Sequence, residues 1–183
     1  MITNYTIEEH IHRYACWTAA RAASISRFSN VEINQFIDKI DLRTKLIELK
    51  ASSLSHTIYK EWFIKQVNAV LKNMKEYIPI KEKGNKRNIL FSIAAKVVSI
   101  YIKTAEIIPS GGTSSVSLFA FPPIDSYLLS GLGIKNKVWS TMEQEEFINL
   151  LDSLRNQHND KPFWSLEFFW DLNKKGHAKK SNL

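Results

Sequence analysis

Residues 94–129, "AAKVVSIYIKTAEIIPSGGTSSVSLFAFPPIDSYLL", decide how the rest of the chain is read. They open as an apolar helix interrupted by Lys96, with Ser92 as the expected cap. The helix stops at "IIPSGG", because proline cannot continue it and glycine accepts the backbone angles of an ending turn. Residues 109–117 then read as a loop, and the paired prolines of "FPPI" lead to Asp125 at the start of a further apolar segment. A lysine near a helix start lies at the positive end of the helix dipole, and burial acts in the same direction. Both favour the neutral, nucleophilic amine. Asp125, at or just before a helix start, suits an N-cap.

Outward from this stretch the pattern stays helical. "TIEEH" predicts a capping box of Thr6 and Glu9 opening a helix to about Phe28. Ile7, Ile11, Tyr14, Thr18, Arg21 and Ile25 fall on one stripe, with alanines and Cys16 on the other sides. Such a helix is expected to be central, so Arg13 and Arg21 need a partner or a polar cleft. Ser29 with Glu32 predicts a second box, and "DLRTKLIELK" either continues that helix or forms a short third. Residues 55–77 read as a long amphipathic helix with Tyr59, Phe63, Val67, Val70, Met74 and Ile78 on its buried side, followed by a charged turn. Ser140 and Glu143 predict a box before "EFINLLDSLRNQ", and Pro162 opens a last helix. No strand alternation is present, so the expected fold is all-α: one helical domain over 1–173 and a basic, flexible tail over 174–183.

The chain has 25 basic and 18 acidic residues, a net charge of +7. The excess is local, in residues 72–87 and in the tail with Lys174, Lys175, Lys179 and Lys180. Concentrated positive charge suits a polyanion, because neutralising phosphates releases counterions, and it fits a non-catalytic nucleic-acid-binding module as well as an enzyme, or a protein-interaction domain whose basic tail aids solubility. No apolar run approaches the about 20 residues a membrane span requires, and no secretory signal opens the chain. An intracellular, cytoplasmic location follows as the expectation. One cysteine excludes an internal disulfide and a multi-cysteine metal site. His10 and His12 are two apart on a helix, which does not suit a metal, and neither a metal nor a cofactor is expected.

"AAKVVSIYIKT", the loop and "FPPIDSYLL" together resemble the core of the helix-hairpin-helix DNA glycosylases, the superfamily of endonuclease III and 8-oxoguanine glycosylase. "HIHRYACWTAARAA" and "KPFWSLEFFWDL" are similar to small bacterial 8-oxoguanine-glycosylase-like proteins. The resemblance implies a two-lobed helical fold, a monomer acting on double-stranded DNA, and excision of a damaged base such as 8-oxoguanine. It implies Lys96 as the Schiff-base nucleophile and Asp125 as its helper, with Lys103, seven residues on and on the same face, as the alternative nucleophile. Where the superfamily carries glycines before the lysine, this chain has "FSIAAK". A flipped base needs stacking faces and polar groups to read its edge, for which Trp17, Arg13, Arg21, Phe163 and Trp164 are the candidates. Lys83, Lys86, Arg87 and Lys103 are the candidates for gripping the DNA backbone.

Overall fold

A computed structural model describes residues 5–23, 28–82, 89–159 and 161–170, with the backbone alone over 78–82. Among the described residues the fold is all-α. The α-helices are α1 (Ile7–Ala22), α2 (Asn30–Lys39), α3 (Leu42–Ala51), α4 (His56–Glu82), α5 (Phe91–Ile102), α6 (Ser126–Gly131) and α7 (Gln144–Gln157). A π turn (Lys103–Ile107) extends α5, and 3-10 segments cover Trp139–Thr141 and Phe163–Phe169. No described helix is long and apolar enough to cross a membrane.

The centre of the molecule is α5, in which every residue except Ile100 is buried. It is packed by α1, α4, α7 and the first 3-10 turn. Small residues make this possible. The buried side of α1 is His12, Ala15, Cys16, Ala19 and Ala20, while Ile7, Tyr14 and Arg21 are exposed. Of the stripe expected to face inward, these three face solvent, Ile11 and Thr18 are half-buried, and Ile25 lies outside the described residues. Alanines let two helix backbones approach closely, and that close contact outweighs the area a few larger side chains would have buried.

Several helix starts also differ from expectation. Thr6 does accept from the Glu9 amide at 3.2 Å, but the Glu9 carboxylate engages Arg13 and Arg43. The Ser29–Glu32 box forms in full. Asp41, with φ of 51°, breaks the chain between α2 and α3, so "LRTKLIELK" is a separate short helix. The cap of α5 is Leu90 and not Ser92, because the Ser92 amide bonds to the Met142 carbonyl at 3.2 Å and starts the helix against that segment. For α7 the cap is Glu143, with no side-chain cap bond, and Ser140 lies in the preceding 3-10 turn. The last expected helix is a 3-10 helix with Pro162 as its cap. Residues 78–82, expected in a charged turn, belong to α4, which continues to Glu82, and the rest of that expected turn to residue 88 lies outside the described residues.

Candidate active site

On α5 the polar residues fall on one line. Ser92, Lys96, Ser99 and Lys103 are spaced i, i+4, i+7, i+11, which confines them to an arc of about 60°. Tyr101 lies on the opposite side and donates to or accepts from His12 Nδ1 of α1 at 2.9 Å. So α1 covers the far face of α5, and the polar line faces α6 and the two 3-10 segments. The Ser92 and Ser99 hydroxyls are buried with no hydrogen-bond partner among the described residues.

Asp125 reaches this line because its approach is anchored. Phe121, four residues earlier, sits edge-on to Tyr59, Phe63 and Phe163 at centroid distances of 5.1, 5.0 and 5.6 Å. Pro122 and Pro123 carry the chain on in a buried stretch that belongs to no helix. Asp125 itself is extended (φ −148°, ψ −179°) and caps α6: its Oδ1 accepts from the Leu128 amide at 2.9 Å. Its Oδ2 accepts from Lys96 Nζ at 3.2 Å. The side chains of the two residues are 10% and 13% exposed, so the pair is removed from water. The Lys96 ammonium also lies 4.5 Å from the centre of the Trp139 ring, a cation–π contact. Counted from the true cap, Lys96 lies in the second helical turn, beyond the strongest part of the dipole field.

A second pair adjoins the first. Lys103, at the start of the π turn, donates to Glu167 of the C-terminal 3-10 helix. Burial pushes the Glu167 carboxyl above its ordinary range. The Lys103 hydrogen bond and charge oppose that shift, and the Asp125 charge adds to it. Two glycines fix this 3-10 helix. A Cβ on Gly131, at the end of α6, would lie 1.7 Å from the Phe169 carbonyl oxygen. One on Gly112 (φ +75°) would lie 2.8 Å from the Trp164 ring. Glu167 thus comes to Asp125 by backbone-tight packing. Sequence reasoning missed it, and missed Trp139. The available signals were the lone acid in "FWSLEFFW" and the polar line on an otherwise apolar helix.

The other candidates go elsewhere. Arg13 and Trp17 line a cleft of about 820 Å³ between α1, α2 and the start of α3, together with His12, Cys16, Asp38 and Arg43. Its walls include neither Lys96 nor Asp125. Arg13 is exposed and paired with Glu9, and Arg21 is exposed over the Trp17 ring at 5.6 Å. The charges on this exposed helix face needed no buried partner. Phe163 is core, packed on Phe121, and presents no stacking face. Trp164 is half-buried against Gly112. Cys16 is buried, and that burial pushes its thiol up to about 12. Lys83, Lys86 and Arg87, like the tail, lie outside the described residues.

No family model, no curated protein and no solved structure matches the chain. Its chemistry must therefore be argued from the side chains. A buried amine with a carboxylate acceptor at hydrogen-bond distance is suited to carbonyl-type and sugar C1′ chemistry, in which the amine gives up a proton and then bonds to carbon.

Proposed function

We infer that the protein is a DNA glycosylase with associated lyase activity, in which Lys96 is the nucleophile. The observation that carries this reading is the buried Lys96–Asp125 contact, which joins two elements 29 residues apart in sequence. Its two side chains are of the types the superfamily resemblance requires. Asp125 takes a proton from the Lys96 ammonium. The freed amine bonds to C1′ of the target nucleotide as the C1′–N bond breaks, and the base leaves with the bonding electrons and is protonated. Opening of the sugar gives an imine between Lys96 and C1′. Loss of a C2′ proton then expels the 3′ phosphate by β-elimination, and water hydrolyses the imine to free the lysine. Double-stranded DNA carrying an oxidised purine such as 8-oxoguanine is the substrate this reading favours. The local excess of positive charge supplies sequence-independent attraction to the phosphates.

Lys103 is the weaker candidate for the nucleophile, since its side chain is a third exposed whereas that of Lys96 is 10% exposed. Borohydride trapping on duplexes containing 8-oxoguanine or an abasic site tests the assignment. The expected result is a covalent adduct in wild type and in Lys103→Gln, lost in Lys96→Gln, with peptide mapping of the wild-type adduct to the Lys96 segment. An adduct mapped to Lys103, or no adduct on either duplex, overturns the reading.

A further inference from the structure

The two orphan hydroxyls of α5, on Ser92 and Ser99, are 0% and 1% exposed. Each stands four residues before a lysine held by an acid: Ser92 before Lys96 with Asp125, and Ser99 before Lys103 with Glu167. A long helical side chain lies over the turn N-terminal to its own Cα, so the Lys96 stem runs back toward Ser92. The contacts agree. The Lys96 ammonium meets the Trp139 ring at 4.5 Å, and three residues after Trp139 the Met142 carbonyl accepts from the Ser92 amide at 3.2 Å. Ser92 and the amine thus share a corner that residues 139–142 close. Ser92 also differs from Ser99 in lying in the first turn of α5, where no preceding turn offers a carbonyl to its hydroxyl. A hydroxyl buried without a partner loses its hydration and gains nothing in return, so such groups are ordinarily satisfied by protein or by ordered water.

We propose that in the lyase reaction inferred above, on which this step rests, Ser92 is a positioning residue that holds the water releasing Lys96 from its imine. The water oxygen bonds to the imine carbon as Asp125 takes one of its protons. The carbon–nitrogen bond then breaks and the carbon keeps the oxygen as a carbonyl. Both water protons end on the Lys96 nitrogen, carried there by Asp125, which restores the ammonium and the carboxylate. A serine suits this task, because its hydroxyl both donates and accepts and so orients a water without adding charge beside the ion pair. Alanine at the same place would fill the helix equally well and leave the water unheld.

The test compares full-length wild type, Ser92→Ala and Ser99→Ala on duplex containing 8-oxoguanine. On that substrate the imine forms as the base leaves and expels no water, so only its hydrolysis depends on a held water. Single-turnover adduct formation, the fraction trapped by borohydride at steady state, and multiple turnover are measured. Ser92→Ala is expected to form the adduct at the wild-type rate, to turn over about 10- to 100-fold more slowly, and to raise the trapped fraction. A serine that only supports the fold would instead lower trapping and turnover together. A trapped fraction that is unchanged or falls in Ser92→Ala overturns the proposal, and so does a rise confined to Ser99→Ala, which would move the water to the second serine. A crystal structure of the wild type adds a readout without DNA. An ordered water within hydrogen-bond distance of Ser92 Oγ is expected, and a Ser92 hydroxyl bonded to protein instead overturns the proposal. No wild-type adduct on this duplex or on one with an abasic site sinks the glycosylase reading and this step together, whereas an adduct whose trapped fraction ignores Ser92 sinks this step alone.

Discussion

The two sides of α5 hold similar chemical groups in opposite circumstances. On the α1 side, His12 bonds Tyr101 and Asp38, and Glu9 holds both Arg13 and Arg43. All of these but Tyr101 line a cleft of about 820 Å³, and the Asp38 side chain is 53% exposed. On the other side, Lys96 and Asp125 face each other almost wholly out of water. The roomy side looks more like a site. Yet Glu9, Arg13, Asp38 and Arg43 are between 31% and 63% exposed, so their pairing is worth little and constrains little. The tight side keeps two charges out of water, which costs several kcal/mol per ion and is tolerated only with close pairing and hydrogen bonds. The difference teaches that volume locates space, whereas burial of reactive groups locates chemistry.

The largest expected effect breaks this comparison directly. Asp125→Ala removes a cap worth about 1 kcal/mol. It also strips a buried lysine of its counter-charge, at about 3–5 kcal/mol. Urea denaturation should therefore show a loss of about 4–6 kcal/mol. Asp38→Ala on the roomy side should cost about 1 kcal/mol, because His12 loses one bond and water replaces it. Equal losses at the two positions would erase the distinction between the sides.

Next in size is Gly131→Ala. Its Cβ would fall on the Phe169 carbonyl, so backbone must shift, at about 2–3 kcal/mol. Gly131 ends α6, whose cap Asp125 holds Lys96, so the shift disturbs that pair and borohydride trapping should weaken with it. Gly133→Ala makes the control. That position has open space and φ of +75°, so the cost is about 1 kcal/mol from backbone strain alone and trapping is unchanged.

The smallest effect sharpens the comparison through pH. Burial raises the Glu167 carboxyl above its unfolded value, so within the window just above pH 4.5 the folded chain holds a proton that the unfolded chain has released. Stability contributed by Glu167 therefore falls as pH rises through that window. Glu167→Gln should remove this downward slope from the urea midpoint measured against pH. An unchanged slope would mean that Glu167 meets water more freely than its burial implies.

Lys96 and Asp125 were legible one by one, because a lysine breaking an apolar helix and an aspartate after paired prolines are local anomalies, and their joint role was what the superfamily resemblance implied. Glu167 left one local signal, the lone acid in "FWSLEFFW", whereas nothing within a few residues of Trp139 distinguishes it from a packing residue. The α1 readings failed for a related reason. Period alone identifies a stripe of large residues, but it does not say whether the neighbouring helix wants bulk or close approach. Counting caps from Ser92 and Ser140 failed because Ser92 donates its amide across the chain to Met142 and Ser140 is used in a 3-10 turn.

By itself the sequence determined the all-α class, the Ser29–Glu32 box, the break before α3 as one of two options, and the role of Asp125 as a cap. These follow from local propensities, which act over a turn or two. Only the tertiary structure decided that α1 buries its alanines, that Phe163 is core, and that the Lys103–Glu167 pair adjoins Lys96–Asp125. Those outcomes depend on which surfaces meet and on how close glycine and alanine let them come, and no short window of sequence contains the partner.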